Sequence, residues 1–261
     1  MFFGGGIVLK SPREIEIMAE AGRVVADAFE HIRPLVKPGA ATEGINRAVH
    51  DFVVSRGGIC TFKGYNGFPF DTCMSVNEEV VHGFPSARLL AEGDIVGIDI
   101  GVTYKGYVAD SAVTFPVGRI APEAARLLDV TRRCLENAIE AVVAENHIRD
   151  ISAAVEKCAL NAGFTVVRKY VGHGVGRAMH EKPEVPNFVS AGKGVKIVPG
   201  MTLAIEPMVN AGTYDVRVLE NGWTVATADG AFSAHFEHTV AATAEGPRVL
   251  TRRSGEGDED F

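Results

Sequence analysis

Basic runs, paired cysteines and long apolar stretches are all missing from this chain, and each absence removes a class of function. No segment collects enough lysine and arginine for a phosphate-binding footprint, and the net charge is −7, so nucleic acid is not an expected partner. The cysteines, Cys60, Cys73, Cys134 and Cys158, form no CxxC pair and no zinc-finger spacing. That pattern points to free thiols in a reducing compartment. No apolar run approaches the ~20 residues that span a bilayer. The opening MFFGGGIVLK lacks the basic and apolar regions of a secretory signal. The expectation is a soluble cytoplasmic protein with no membrane partner.

What is present suits a catalytic domain. The chain has 261 residues, 46% of them hydrophobic and 23% charged, enough to bury a sizeable core. The glycines at 4–6 and the ending GEGDEDF read as loose ends. We therefore expect a flexible N-terminal tail (1–10), a single domain (11–250, with halves of about 11–118 and 119–250) and an acidic C-terminal tail (251–261). Ser11-Pro12-Arg13-Glu14 carries an N-cap, a proline at N1 and a capping-box glutamate, and opens a helix with an apolar stripe from Ile15 to Ile32. A second helix is expected from about Thr42 to Arg56, a third from Ala121-Pro122-Glu123 to about Glu145, and a fourth from about Asp150 to Asn161.

The second half echoes the first. At an offset of 106, Ile45, Ala48, Val49, Val54 and Gly57 match Ile151, Ala154, Val155, Leu160 and Gly163. At an offset of 107, Gly93, Ile98 and Asp99 match Gly200, Ile205 and Glu206. YVADSAV has a looser counterpart in HFEHTV, which sets Asp110 against Glu237. Together these matches predict a duplicated α/β (α+β) unit with approximate two-fold symmetry, curved antiparallel sheet inside and helices outside.

Asp99 and Asp110 lie in two strand-like runs separated by a Lys105-Gly106 turn signal. An even-numbered tight loop is expected to place them directly opposite each other, with Cβ atoms roughly 5 Å apart. Like charges so placed need a shared proton or cation, and paired carboxylates suit metal ions ~3.5–4 Å apart. Two facing acids alone are more often a solvated surface, so the case rests on the repeat. Glutamate is depleted in strands, yet Glu206 and Glu237 sit in strand-like runs and match the two aspartates. His173 lies in GHGVG, where flanking glycines are expected to let the backbone turn tightly. That motif lacks GxGxxG spacing, so it does not signal a dinucleotide site. Four carboxylates and an imidazole would suit hard or borderline divalent ions such as Mn(II), Fe(II), Co(II) or Zn(II).

VVHG, GDIVGIDIG with its later ADS, GHGVGRAMHEKP, IEPMVN and FEHTV, in that order, resemble the motifs of the type I methionine aminopeptidases, which have the pita-bread fold. The resemblance runs from about residue 8 to residue 251 and favours the short bacterial form. It implies two metal ions per chain, with Asp110 and Glu237 bridging, Asp99 chelating one ion, and His173 with Glu206 holding the other. It further implies roles for His82 and His180, which by residue type alone read as loop or core histidines. The remaining histidines, 31, 50, 147, 235 and 238, match no catalytic motif, although His235 shares a face with Glu237.

The implied reaction is hydrolysis of the first peptide bond after an N-terminal methionine by a metal-bridging water or hydroxide. Glu206 would accept a proton, His180 would stabilise the oxyanion, and His82 would contact the scissile nitrogen. By the same resemblance the methionine pocket is expected at Phe62, Tyr65, Phe68, Cys73, Met179 and Trp223. The stretch GYNGFPFDTC departs in detail from better-known members, and its aromatics read equally well as ordinary core. Expected partners are the N-termini of nascent polypeptides with a small second residue, and the ribosome; a monomer is expected. Two other readings stay open. One is an Xaa-Pro peptidase, which shares fold and ligands but usually carries a large preceding domain. The other is a non-catalytic binding protein on the same scaffold, which would typically have lost ligands.

Overall fold

The computed structural model describes residues 6–256; the outermost parts of the two expected tails, residues 1–5 and 257–261, lie outside that range. Helices α1 (Pro12–Ile32) and α2 (Thr42–Ser55) belong to the first half, α3 (Pro122–Glu140) and α4 (Ile148–Asn161) to the second. First-half strands are β1 (Ile59–Cys60), β2 (Cys73–Val76), β3 (Glu79–Val81), β4 (Ile95–Tyr104) and β5 (Tyr107–Pro116). The second half begins its strands with β6 (Thr165–Val166), β7 (Gly172–Gly174), β8 (Glu181–Val185) and β9 (Thr202–Ile205). It continues with β10 (Met208–Asn210), β11 (Val216–Val218), β12 (Val225–Thr227), β13 (Ser233–His235), β14 (His238–Thr243) and β15 (Gly246–Val249). Among the described residues no helix is long and apolar enough to cross a membrane.

Helix α1 begins as its sequence dictates, with Ser11 and Glu14 forming a reciprocal capping box. Its stripe from Ile15 to Ile32 is buried against β4 and β5. Helix α3 stops at Glu140, five residues before the expected end. The side chain of Asn146 turns back there to donate to the carbonyl of Ala141, satisfying an end that would otherwise be open. Helix α4 starts two residues earlier than expected, because Asp150 is its N3 residue and accepts from the N–H of His147.

Each half contributes one long antiparallel ladder. In the first, β1, β2 and β5 pair with β4; in the second the order is β15-β14-β9-β7-β8. Strands β5 and β14 meet along a seam between the halves that is stitched through threonines. Thr239 Oγ1 donates to the Asp110 carbonyl (2.8 Å) and accepts from the Asp110 N–H (2.9 Å). Thr114 does the same for the main chain of His235. Across this seam Ser111 Oγ donates to the carbonyl of Glu237. The pseudo-symmetric seam draws Asp110 and Glu237 together.

Among the described residues, the inner parts of both expected tails are held by contacts. Lys10 is buried, donates its N–H to Gly200 and pairs with Glu181. At the other end Thr251 and Arg253 are buried, and Arg253 is held by Glu256 and donates to Ser111 Oγ. Partners this distant in sequence leave no local signal, which is why both segments read as loose.

Candidate functional site

The β4–β5 hairpin pairs Tyr104 with Tyr107, Gly101 with Asp110 and Asp99 with Ala112. Asp99 and Asp110 therefore share one face diagonally, two residues out of register, and do not sit directly opposite as expected. The turn explains the difference. Lys105 (φ 49°) and Gly106 (φ 80°), the expected turn residues, both take the left-handed region and are the two central residues of the loop; a loop centred there pairs Tyr104 with Tyr107 and so sets Asp110 against Gly101, not against Asp99. The second ladder pairs Ile205 with His238, and Glu206 and Glu237 follow one step beyond its end. The facing geometry expected of the aspartates is the one the glutamates approach.

His173 also departs from expectation. Its GHG is strand β7 and no tight turn. A Cβ on Gly172 would lie 2.4 Å from the carbonyl oxygen of Ala204, and one on Gly174 2.3 Å from that of Lys182. The glycines are there because neighbouring strands approach closely. His173 Nδ1 lies 2.9 Å from the carbonyl of Gly174, which must accept, so Nδ1 carries the proton and Nε2 presents its lone pair to the acids. Nε2 is 3.5 Å from Glu206 Oε1 and 4.0 Å from Asp110 Oδ2. Burial pushes the ring pKa down to about 4, so it is neutral at pH 7.

Donor atoms of Asp110, His173 and Glu237 lie within 4.8 Å of one another. The carboxyl groups of Asp99 and Asp110 lie close enough to interact directly, so both cannot be ionised without a shared proton or cation. Burial pushes Asp99 up to about 7. It pushes Asp110, Glu206 and Glu237 well above the carboxylate range, and the neighbouring acids add to the rise in each. Arg253, behind Glu237, only partly offsets this. Asp99 Oδ1, Asp110 Oδ1 and Glu237 Oε1 are buried without a hydrogen-bond partner, and neither lysine nor arginine lines the cavity. Buried oxygens rarely stay unpaired. Four acids so placed, with a neutral imidazole lone pair among them, fit divalent cations.

The sequence named thirteen candidate residues, and all of them line this one cavity, joined by Asn66. The His180 ring lies tilted against that of His173, with centroids 4.2 Å apart, and its Nδ1 is 2.8 Å from the Tyr65 hydroxyl. Burial, then the neighbouring rings of His173 and His82, lower its pKa to about 3. His82 takes a left-handed backbone (φ 59°), unusual for a non-glycine residue, and packs edge-on against Tyr170. Burial lowers its pKa to about 4.

On one side of the acids the wall is apolar. Phe62, Phe68, Cys73 and Met179 are buried together, with Tyr65 and Trp223 partly buried against them. Phe68 meets Trp223 edge-to-face at 5.2 Å and is backed by Phe70 and Phe84, which the motifs did not point to. A second opening shares His82, His173, His180 and Glu206 with this cavity and adds Tyr170. His235 reaches further into the site than its lack of a motif suggested. Its buried Nε2 has no hydrogen-bond partner and lies 3.8 Å from Glu206 Oε2 and 3.9 Å from Glu237 Oε2. Alternation along the strand from Glu237 was the available signal.

Residues 16–244 match the description of metallopeptidase family M24. Methionine aminopeptidase 1 of Bacillus subtilis is 47% identical over 246 residues, 94% of this chain and 99% of that protein. The crystal structure of methionine aminopeptidase from Thermotoga maritima superposes with a TM-score of 0.93 at 43% identity, over 95% of this chain and all of that one. Prolidase from Pyrococcus furiosus shares the fold at 21% identity, with a TM-score of 0.77 over 95% of this chain and 66% of its own.

Proposed function

The chain belongs to metallopeptidase family M24, as a pita-bread methionine aminopeptidase, and on that premise we propose that it removes the initiator methionine from nascent polypeptides in the cytoplasm, with two divalent ions held by the buried acids. One observation carries this reading: four carboxylates and a neutral histidine converge, with buried oxygens unpaired, beside an apolar wall. Asp99 would hold one ion, His173 with Glu206 the other, and Asp110 and Glu237 both. The donor set accepts Mn(II), Fe(II), Co(II) or Zn(II). Bound there, such ions activate water as a nucleophile at neutral pH and polarise the scissile carbonyl.

The protein's own groups do the rest. The wall of Phe62, Phe68, Met179 and Trp223 takes the methionine side chain, since a flexible thioether packs well on aromatic edges. The Tyr65 hydroxyl donates to His180 Nδ1, which leaves the proton on Nε2, where it donates to the oxygen of the scissile carbonyl. One well-placed donor of that kind is worth ~3–4 kcal/mol. His82, which borders both openings, contacts the scissile nitrogen, and the remaining peptide leaves through the second opening. Glu206 borders both openings, and as a carboxylate it is placed to take a proton from attacking water and pass it to the leaving amine. A small second residue suits a passage between His82, His180 and Glu206.

A panel of peptides varying the first two residues, run across the four metals, tests the reading. Release of methionine from Met-Gly-Met, with weak or no cleavage when the second residue is large, is expected. Cleavage of Xaa-Pro dipeptides without methionine release, or inactivity with every metal, would overturn it.

A further inference from the structure

A second set of ligand-type side chains lies away from the carboxylate cavity. His50 Nδ1, Cys60 Sγ and a carboxylate oxygen of Asp71 are within 4.8 Å of one another. They come from three separate elements: α2, β1 and the loop leading into β2. Cys60 pairs with Val102 on β4, so by alternation its side chain is on the face away from Asp99. The cluster is therefore distinct from the active site.

Its local bonding is incomplete. His50 Nδ1 is 2.9 Å from Asp71 Oδ1. The other oxygen of Asp71 is approached by Lys63 Nζ at 3.3 Å and by Asn46 Nδ2 at 3.4 Å. Cys60 is only 7% exposed, and its sulfur has no hydrogen-bond partner among the described residues. Burial, with the charge of Asp71, pushes its thiol up to about 12, so it is inert as a free nucleophile. An open cavity bordered by Asn46, His50, Lys63 and Asp71 leads to the cluster from solvent.

We propose that His50, Cys60 and Asp71 form a thiolate-containing site for a borderline-soft divalent cation of the zinc type, which displaces Lys63 from Asp71. Nitrogen, sulfur and carboxylate oxygen are zinc's donors, whereas the active-site ligand set is nitrogen and oxygen, the Cys73 thiol there belonging to the apolar wall. Binding sends the Cys60 proton to solvent and uses the neutral His50 ring. A tetrahedral ion with bonds of ~2.0–2.3 Å needs donors roughly 3.3–3.6 Å apart. Small side-chain rotations supply that closure, and water from the cavity fills the fourth position. The ion would staple to α2 the loop that carries Tyr65 and Phe68 of the apolar wall.

The test is titration of the chelator-treated full chain with Co(II) and with Zn(II). One equivalent beyond the active-site ions is expected, together with a near-ultraviolet sulfur-to-cobalt charge-transfer band. Cys60→Ser should abolish the band. His50→Ala, at a half-exposed position tolerant of change, should weaken that equivalent at least about tenfold, since even outer-sphere losses cost as much. Lys63→Met should tighten it severalfold. Methionine release by His50→Ala should stay at the wild-type level, which separates this site from the reading of the active site. Equal stoichiometry in wild type and His50→Ala with no thiolate band, or a band that survives Cys60→Ser, would show that the cluster is an ion-pair network only.

Discussion

Replacing Asp99 by asparagine should stabilise the metal-free protein, by an amount that grows with pH. Burial raises the Asp99 carboxyl from 3.8 to about 7. Between those values the folded chain keeps a proton that the unfolded chain has released. Folding then takes up protons, so stability falls as pH rises across this window. At ~1.4 kcal/mol per pH unit the full penalty is about 4 kcal/mol at pH 7, an upper bound because the three remaining acids relax when one is neutralised. Asparagine has the shape of the protonated acid and never charges, so it escapes the penalty. The assay is urea or thermal unfolding of chelator-treated wild type and Asp99→Asn from pH 4.5 to pH 8. The variant's advantage should be small at the acid end and reach several kcal/mol near pH 7, about 8 °C in Tm at roughly 2 °C per kcal/mol. Saturating divalent metal should reverse the order, because asparagine is a poor substitute for an anionic ligand. An advantage that is flat with pH, or that shrinks as pH rises, would refute the argument that buried repulsion among these acids is held for a cation.

Other outcomes follow from the same geometry. His180→Ala should lower kcat by ~10²–10³ with metal affinity nearly unchanged, and Tyr65→Phe should lower it less, as read by steady-state kinetics beside calorimetric metal titration. His235→Leu should weaken metal binding by ~10–100-fold, while His235→Gln, which still offers a polar group beside Glu206 and Glu237, should retain most of it. Glu256 is held at about 2 by hydrogen bonding to His238 and the charge of Arg253, despite its burial. It therefore contributes stability above pH ~4.5 that is lost as pH falls toward 2. Glu256→Gln should cost about 3 kcal/mol in denaturant melts at pH 6 and much less at pH 3.

Much of this architecture is legible where the signal is local. Ser11 and Glu14 announce the start of α1, and the offset matches place Glu206 and Glu237 as partners of the aspartates. What escapes is set by other parts of the chain. The β4–β5 register is the exception, because it is local: a two-residue loop on the Lys105-Gly106 signal sets Asp110 against Gly101 and Asp99 against Ala112, so the expected facing pair is a miscount from a turn correctly placed. The glycines of GHGVG look like turn residues, yet they answer to carbonyls of β9 and of the Glu181–Lys182 stretch. Lys10 and Arg253 are pinned by Glu181 and Ser111, far away in sequence. The apolar wall is a case between the two: its members were named by resemblance, whereas Phe70 and Phe84 behind it come to light only through packing.

The central claim, that the buried acids exist to hold catalytic metal, is tested most directly by titrating chelator-treated protein with Mn(II) or Co(II) while following methionine release from Met-Gly-Met and metal bound per chain. Activity should be absent without metal, return as ions fill the carboxylate cavity, and be lost in Asp110→Asn together with metal binding there. Full activity in the metal-free chain, or wild-type activity in Asp110→Asn, would contradict it.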